Sequence, residues 1–135
     1  MKRSSAISIV IQTLVLIAVV SFRPGLCGAG ERPPLPEFPA KGKITMVNFG
    51  QSGCGGCWMQ APIMRSLEKK YQDSNEVAIV DINTSTYLGQ ASKHHIELTP
   101  TQIFYDKDGK EVYRHQGTMF ERSIVSRLKK MGATQ

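Results

Sequence analysis

Apolar residues along this chain change rhythm several times, and each change marks an element. Residues 44–49 (Ile-Thr-Met-Val-Asn-Phe) form a short, β-rich and mostly apolar run, as a buried central strand requires. From Trp58 to Tyr71 the spacing lengthens. Met59, Ile63, Met64, Leu67 and Tyr71 recur three and four apart, one apolar stripe of a helix. Pro62 falls inside that helix and predicts a kink, because it removes a backbone donor and clashes one turn back. Residues 76–82 (Glu-Val-Ala-Ile-Val-Asp-Ile) read as a second buried strand, after which Asn83 and Thr84 offer caps for a short helix through Leu88 and Ala91 to about His94. A third strand spans Gln102 to Tyr105, Asp106-Lys107-Asp108-Gly109 turns the chain, and Lys110 to Arg114 return antiparallel. Beyond Gly117, Thr118-Met119-Phe120-Glu121 spells a capping box for a last helix with Ile124, Val125 and Leu128 inward, stopped by Gly132. The order β-α-β-α-β-β-α predicts an α/β domain with a parallel pair joined by a right-handed crossover.

The first thirty residues are different material. Met1-Lys2-Arg3 is basic, residues 6–22 are almost unbrokenly apolar, Arg23-Pro24-Gly25 breaks the run, and small residues follow at Gly28-Ala29-Gly30. A charged start, an apolar stretch and a small-residue processing site predict a secretory signal over residues 1–29. The apolar run of about 17 residues is near the lower limit for spanning a bilayer, so an uncleaved membrane tether through residues 6–22 is the alternative. Cys27 invites lipidation, but Leu26 stands before it where a small residue is wanted. Residues 30–43, with Pro33, Pro34, Pro36 and Pro39, exclude helix and central strand and predict an extended linker to a domain over 44–135.

Charge narrows the partners. The formal +6 shrinks once Lys2, Arg3 and Arg23 are set aside, leaving 14 Lys/Arg against 11 Asp/Glu. The remaining basic residues are scattered along predicted helices without aromatic interleaving, which argues against a nucleic-acid surface. The predicted setting is periplasmic or secreted, where thiols are not kept reduced by cytosolic systems.

Chemistry concentrates at Gly53-Cys54-Gly55-Gly56-Cys57-Trp58, where the first strand gives way to the first helix. Unpaired N–H groups and the positive end of the helix dipole favour an anion there, so Cys54 is the candidate nucleophilic thiolate and Cys57 the candidate resolving thiol. Spacing alone serves half a zinc site or a structural disulfide equally well. Only Cys27 remains to complete a four-cysteine site, and His94 and His95 are adjacent, pointing different ways on any regular element. The small loop the pair closes contributes little stability, which favours a chemical role. Glycines around the sulfurs would let a partner's backbone approach closely.

This order around a Cys-X-X-Cys resembles the thioredoxin superfamily over Ile44 to Met131. Pro62 stands five residues after Cys57, as the helix proline of that family does. Thr99-Pro100-Thr101 is similar to its cis-proline loop, Gly109 to its hairpin turn and Gly117 to the glycine before its last helix. The resemblance implies a thioredoxin-like α/β fold, trimmed at the N-terminus, with a central mixed sheet flanked by helices. The usual first strand and helix would be missing or reduced to a short strand near Phe38. It also implies a cis Pro100 that presents the Thr99 backbone to an extended client, with Gly53, Gly55, Gly56 and Trp58 bordering the client. No metal and no cofactor beyond a redox-active Cys54–Cys57 disulfide is implied.

Departures from the family pattern matter too. Trp usually precedes the first cysteine, but Gly53 stands there and Trp58 follows the second. The family's buried aspartate aligns with Asn48 and its partner lysine with Ile79, leaving deprotonation of Cys57 to water or another group. His94, His95 and His115 have the chemistry, though nothing in the sequence brings them to the sulfurs. Gly55-Gly56 carries no histidine to favour an oxidant, so the implied activity is reduction of disulfide- or thiol-bearing client proteins. Apocytochrome c is one such client, and a membrane thiol-electron carrier would recharge the pair. The alternative is a copper chaperone holding Cu(I) through Cys54 and Cys57, since soft thiolates suit that ion.

Overall fold

The computed structural model describes residues 32–134, so the expected signal or tether and Cys27 lie outside the described residues. Residues from Pro33 onward form one compact unit, which holds every described element. Its strands are β1 (Ile44–Gly50), β2 (Val77–Asn83), β3 (Thr101–Tyr105) and β4 (Glu111–Gln116), and its helices α1 (Gly55–Tyr71), α2 (Gln90–Lys93) and α3 (Glu121–Lys130). The four strands form one sheet in the order β2-β1-β3-β4. β1 runs parallel to β2 and antiparallel to β3, and β3 antiparallel to β4, so the sheet is mixed as its sequence order implied.

Every residue of β1 is buried, which is why the strand is apolar on both faces. Alternation then divides the core. Ile44, Met46 and Phe104 pack with Met64, Leu67 and Tyr71 of α1 and with Ile124 and Leu128 of α3. Val47, Phe49, Ile82, Ile103 and Tyr105 form the second cluster. Phe49 and Phe104 are wholly buried, a burial that contributes about 1.5–3 kcal/mol for each such side chain.

Several expectations are corrected. β2 lies at the sheet's edge and, rather than being a buried strand, buries only Val77 and Ile82, with residues 78–80 half-buried and Asp81 and Asn83 exposed. α1 begins at Gly55, not Trp58, so Gly55 and Gly56 are helical and Gly50 is the last residue of β1. Pro62 does lie inside this helix, where its place in the sequence put it. Met59 is exposed, and Gln60 takes its place on the buried stripe. A one-residue shift of the helix face puts an amide where an apolar residue was expected. α2 is only four residues long, capped by Gly89 without a side-chain bond. The capping box does not form either. Phe120 is the N-cap of α3 and its side chain makes no cap bond. No strand occurs near Phe38 among the described residues, yet its ring packs edge-on against Phe49, so the proline-rich segment reaches the core.

Candidate functional site

The end of β1 and the start of α1 bring the two sulfurs together. After Gly50 the chain turns through Gln51-Ser52-Gly53, and Gly53 takes a left-handed φ of +81° that a side chain would resist. Cys54 is then the N-cap of α1, with an extended backbone, and its Sγ accepts from the Cys57 N–H at 3.1 Å. Cys54 and Cys57 are joined as a disulfide, with Cα atoms 5.2 Å apart. The Gln51 N–H points at the Cys57 Sγ from 3.4 Å. Residues 83–85, read from sequence as a helix start, brace this turn instead. The Thr84 N–H and Oγ1 both donate to the Gly50 carbonyl, at 2.8 and 3.0 Å. Asn83 Nδ2 donates to Ser52 Oγ and the Ser52 N–H donates to Ser85 Oγ, at 3.1 and 3.2 Å.

The loop before β3 faces the disulfide. Its Thr99–Pro100 bond is cis, Pro100 is buried, and the Thr99 carbonyl oxygen lies 3.3 Å from Cys54 Sγ. Gly56 is the point of closest approach. A Cβ there would stand 3.0 Å from Pro100 Cδ and 3.3 Å from Thr118 Oγ1. Thr118, freed from the capping box, donates to the Gly56 carbonyl at 3.3 Å. Gly56→Ala is therefore expected to push the Pro100 loop off the sulfurs and lower insulin-disulfide reduction roughly 10-fold or more, since displacements well under 1 Å at a reacting centre are costly. An unchanged rate in that assay would mean the loop yields freely.

The other expected site residues are more open. Gly53 and Gly55 are exposed with nothing near their Cα hydrogens, and Trp58 is 82% exposed beside them. The histidines stand apart from the cleft at the sulfurs. His94 is half-buried against the rings of Phe38 and Phe49, where burial first, then Lys93 and Arg114, push its pKa down. His95 is exposed and His115 lies near the Thr118 carbonyl.

Two polar positions near the sulfurs are not apparent from the sequence. Gln60 is wholly buried and bonds both backbone groups of Met119: its Nε2 donates to the carbonyl at 3.2 Å and its Oε1 accepts from the N–H at 2.8 Å. Asp81 is the second. A cleft of about 250 Å³ beside the disulfide is lined by Asn48, Gly50, Cys57 and Trp58, and Asp81 forms part of its wall. Asn48, the register partner of Asp81, donates from Nδ2 to Asp81 Oδ1 at 2.8 Å and accepts from Gln102 Nε2 at 2.9 Å. Desolvation pushes the Asp81 pKa up, while the Asn48 bond and then Arg65 hold it back. The register that pairs Asn48 with Asp81 was the one signal available.

A raised carboxyl pKa has a definite sign in stability. The folded state binds the Asp81 proton more tightly than the unfolded chain, so ionisation opposes folding, absent below the ordinary value of 3.8 and complete above the folded pKa. Asp81→Asn is thus expected to raise the melting temperature slightly at neutral pH, because Asp81 is exposed on its strand and solvent screens most of the effect. The gain should shrink as pH falls towards the ordinary carboxylate range. A variant less stable at pH 7 in thermal scans would contradict this.

Among the described residues no group of three or more His, Cys, Asp or Glu could hold a metal ion, and no helix is long and apolar enough to cross a membrane. The family profile described as Thioredoxin matches residues 37–130. The chain is 34% identical over 86 residues to thioredoxin Y2 of Arabidopsis thaliana chloroplasts, covering 64% of this chain and 50% of that protein. It is 35% identical over 72 residues to a protein disulfide-isomerase of Schizosaccharomyces pombe, covering 53% of this chain and 20% of that one. The X-ray structure of Fasciola hepatica thioredoxin superposes with a TM-score of 0.58 at 28% identity, covering 67% of this chain and 83% of the other. This chain thus spans about half the length of the chloroplast relatives it matches.

Proposed function

This chain belongs to the thioredoxin family, and on that premise we propose that it exchanges disulfides with client proteins through Cys54 and Cys57, in the reducing direction. The observation that carries the reading is Cys54 Sγ at the N-cap of α1, with the Cys57 N–H 3.1 Å away and no acidic residue in the helix's first turn. In the reduced protein the same N–H and the helix dipole favour the Cys54 thiolate. That thiolate attacks one sulfur of a client disulfide, and the other client sulfur leaves with the electron pair. Cys57 then displaces the captured sulfur, leaving the client as two thiols and the pair oxidised. The half-buried Thr99 edge and the open glycines supply the backbone groups along which an extended client segment would lie.

The compartment we propose is extracytoplasmic, supported by the signal-like composition of residues 1–29, with residues 30–43 as spacer and the remainder as the working domain. A membrane thiol carrier would return the pair to its reduced state, and immature cytochrome c is one client of suitable chemistry. Insulin reduction by dithiothreitol, run alongside Cu(I) and zinc titrations, tests the activity. Turnover well above the dithiothreitol background is expected. Tight Cu(I) binding with no turnover would replace this reading by metal delivery. Equilibration with glutathione tests direction, and a potential near those of strong periplasmic oxidants would reverse it.

A further inference from the structure

We infer that Asp81 accepts the proton of Cys57 through water in the cleft, with Asn48 positioning its carboxylate. The inference rests on the thiol–disulfide activity proposed for the pair. Cys57 and Asp81 share the walls of a cleft of about 250 Å³. That is room for several waters, each of which takes about 30 Å³. The missing side chain of Gly50 opens the route between them. A Cβ at that residue would lie 3.8 Å from Cys57 Sγ and 3.7 Å from Asn48 Nδ2, so sulfur and amide border the same empty point.

Asn48 does not titrate, but it is fixed in one orientation. Its carbonyl end accepts from Gln102 at 2.9 Å, which turns its NH₂ towards Asp81 Oδ1 at 2.8 Å. Asp81 Oδ2 has no hydrogen bond to a described residue and is left to water. The charged groups acting on this carboxylate from α1 are Arg65, which favours its ionised form, and Glu68, which opposes it. Desolvation raises the acid's pKa towards that of a thiol, which shortens the uphill part of the proton transfer.

The step balances within the pair and its client. The Cys57 proton passes through water to the Asp81 carboxylate. The thiolate electron pair forms the bond to Cys54 Sγ, the Cys54–client bond breaks, and its electron pair leaves on the client sulfur. That sulfur takes up a proton, which the Asp81 carboxylic acid can return.

Two steps are separable with an aromatic disulfide whose released thiolate is coloured, mixed with the reduced full chain carrying Cys27→Ser. The first release reports attack by Cys54, the second resolution by Cys57. Asp81→Asn retains an oxygen to accept from Asn48, and at neutral pH it is expected to slow the second release about 10- to 100-fold, at or below the usual range for a general base. The deficit should close above about pH 8.5, where a free thiol ionises unaided. Removing a negative charge lowers a neighbouring thiol's pKa, so if Asp81 acted by charge alone the same substitution would speed that release. A second release that is unchanged or faster overturns the inference and leaves the activity standing. A reduced, unsubstituted chain that gives one release only overturns the activity itself. A second measurement needs no variant: the second-phase rate should fall on acidification in step with the Asp81 carboxyl carbon titration read by NMR, and a mismatch overturns the proton route.

Discussion

Cys54→Ser is expected to abolish insulin-disulfide reduction, lowering the rate by at least about 10³-fold, the scale of loss when a covalent nucleophile is removed. A serine hydroxyl at the N-cap would still satisfy the Cys57 N–H, so the fold should survive and the loss should be chemical. Cys57→Ala should behave differently. Cys54, half-buried beside the Thr99 carbonyl, can still capture a client, but nothing displaces a captured sulfur, so a mixed disulfide accumulates and runs as a larger species on non-reducing gels. The two variants together separate attack from resolution. Full turnover by Cys54→Ser would remove the sulfur chemistry altogether, and equal alkylation rates for Cys54 and free cysteine at neutral pH would remove its helix-end activation.

What the chain discloses by itself follows from how local each signal is. β1 could be read because its burial on both faces forces a continuous apolar run, and α3 because Ile124 and Leu128 sit one turn apart on one face. The cysteine pair could be placed because two residues and a strand-to-helix change lie within ten positions of sequence. Legibility failed where a residue's partner lies far along the chain. Thr118 looks like a cap when only the next three residues are considered, yet its hydroxyl finds Gly56, sixty-two positions away. Asn83 and Thr84 look like caps for the same reason, yet they hold Gly50 and Ser52. Asp81 looked like the polar member of a strand. Only the pairing of β1 with β2 puts it beside Asn48 and on the cleft that Cys57 shares. The loss of a titrating side chain at Asn48 is visible in sequence, whereas the carboxyl across the register is a property of the sheet.

The largest effect on stability is expected where such a long-range partner is polar and buried. Gln60 ties α1 to the segment entering α3 by bonding both backbone groups of Met119 within the core. Methionine fills nearly the same volume in similar rotamers but offers neither donor nor matching acceptor. Gln60→Met would leave the Met119 N–H and carbonyl facing an apolar surface, and each orphaned buried group costs about 1–3 kcal/mol, so about 2–6 kcal/mol in all. For a domain of this size that lowers the melting temperature by roughly 10–30 °C. The loss should spread to the site, because residue 119 follows Thr118, whose hydroxyl meets Gly56 beside Pro100. Thermal unfolding and insulin reduction on one preparation check both consequences. Activity should fall at temperatures well below the new melting point if the Thr118 contact loosens first. A destabilisation under about 1 kcal/mol would show that water reaches Met119 and replaces the amide, and the coupling between core and sulfurs argued here would then have no physical carrier.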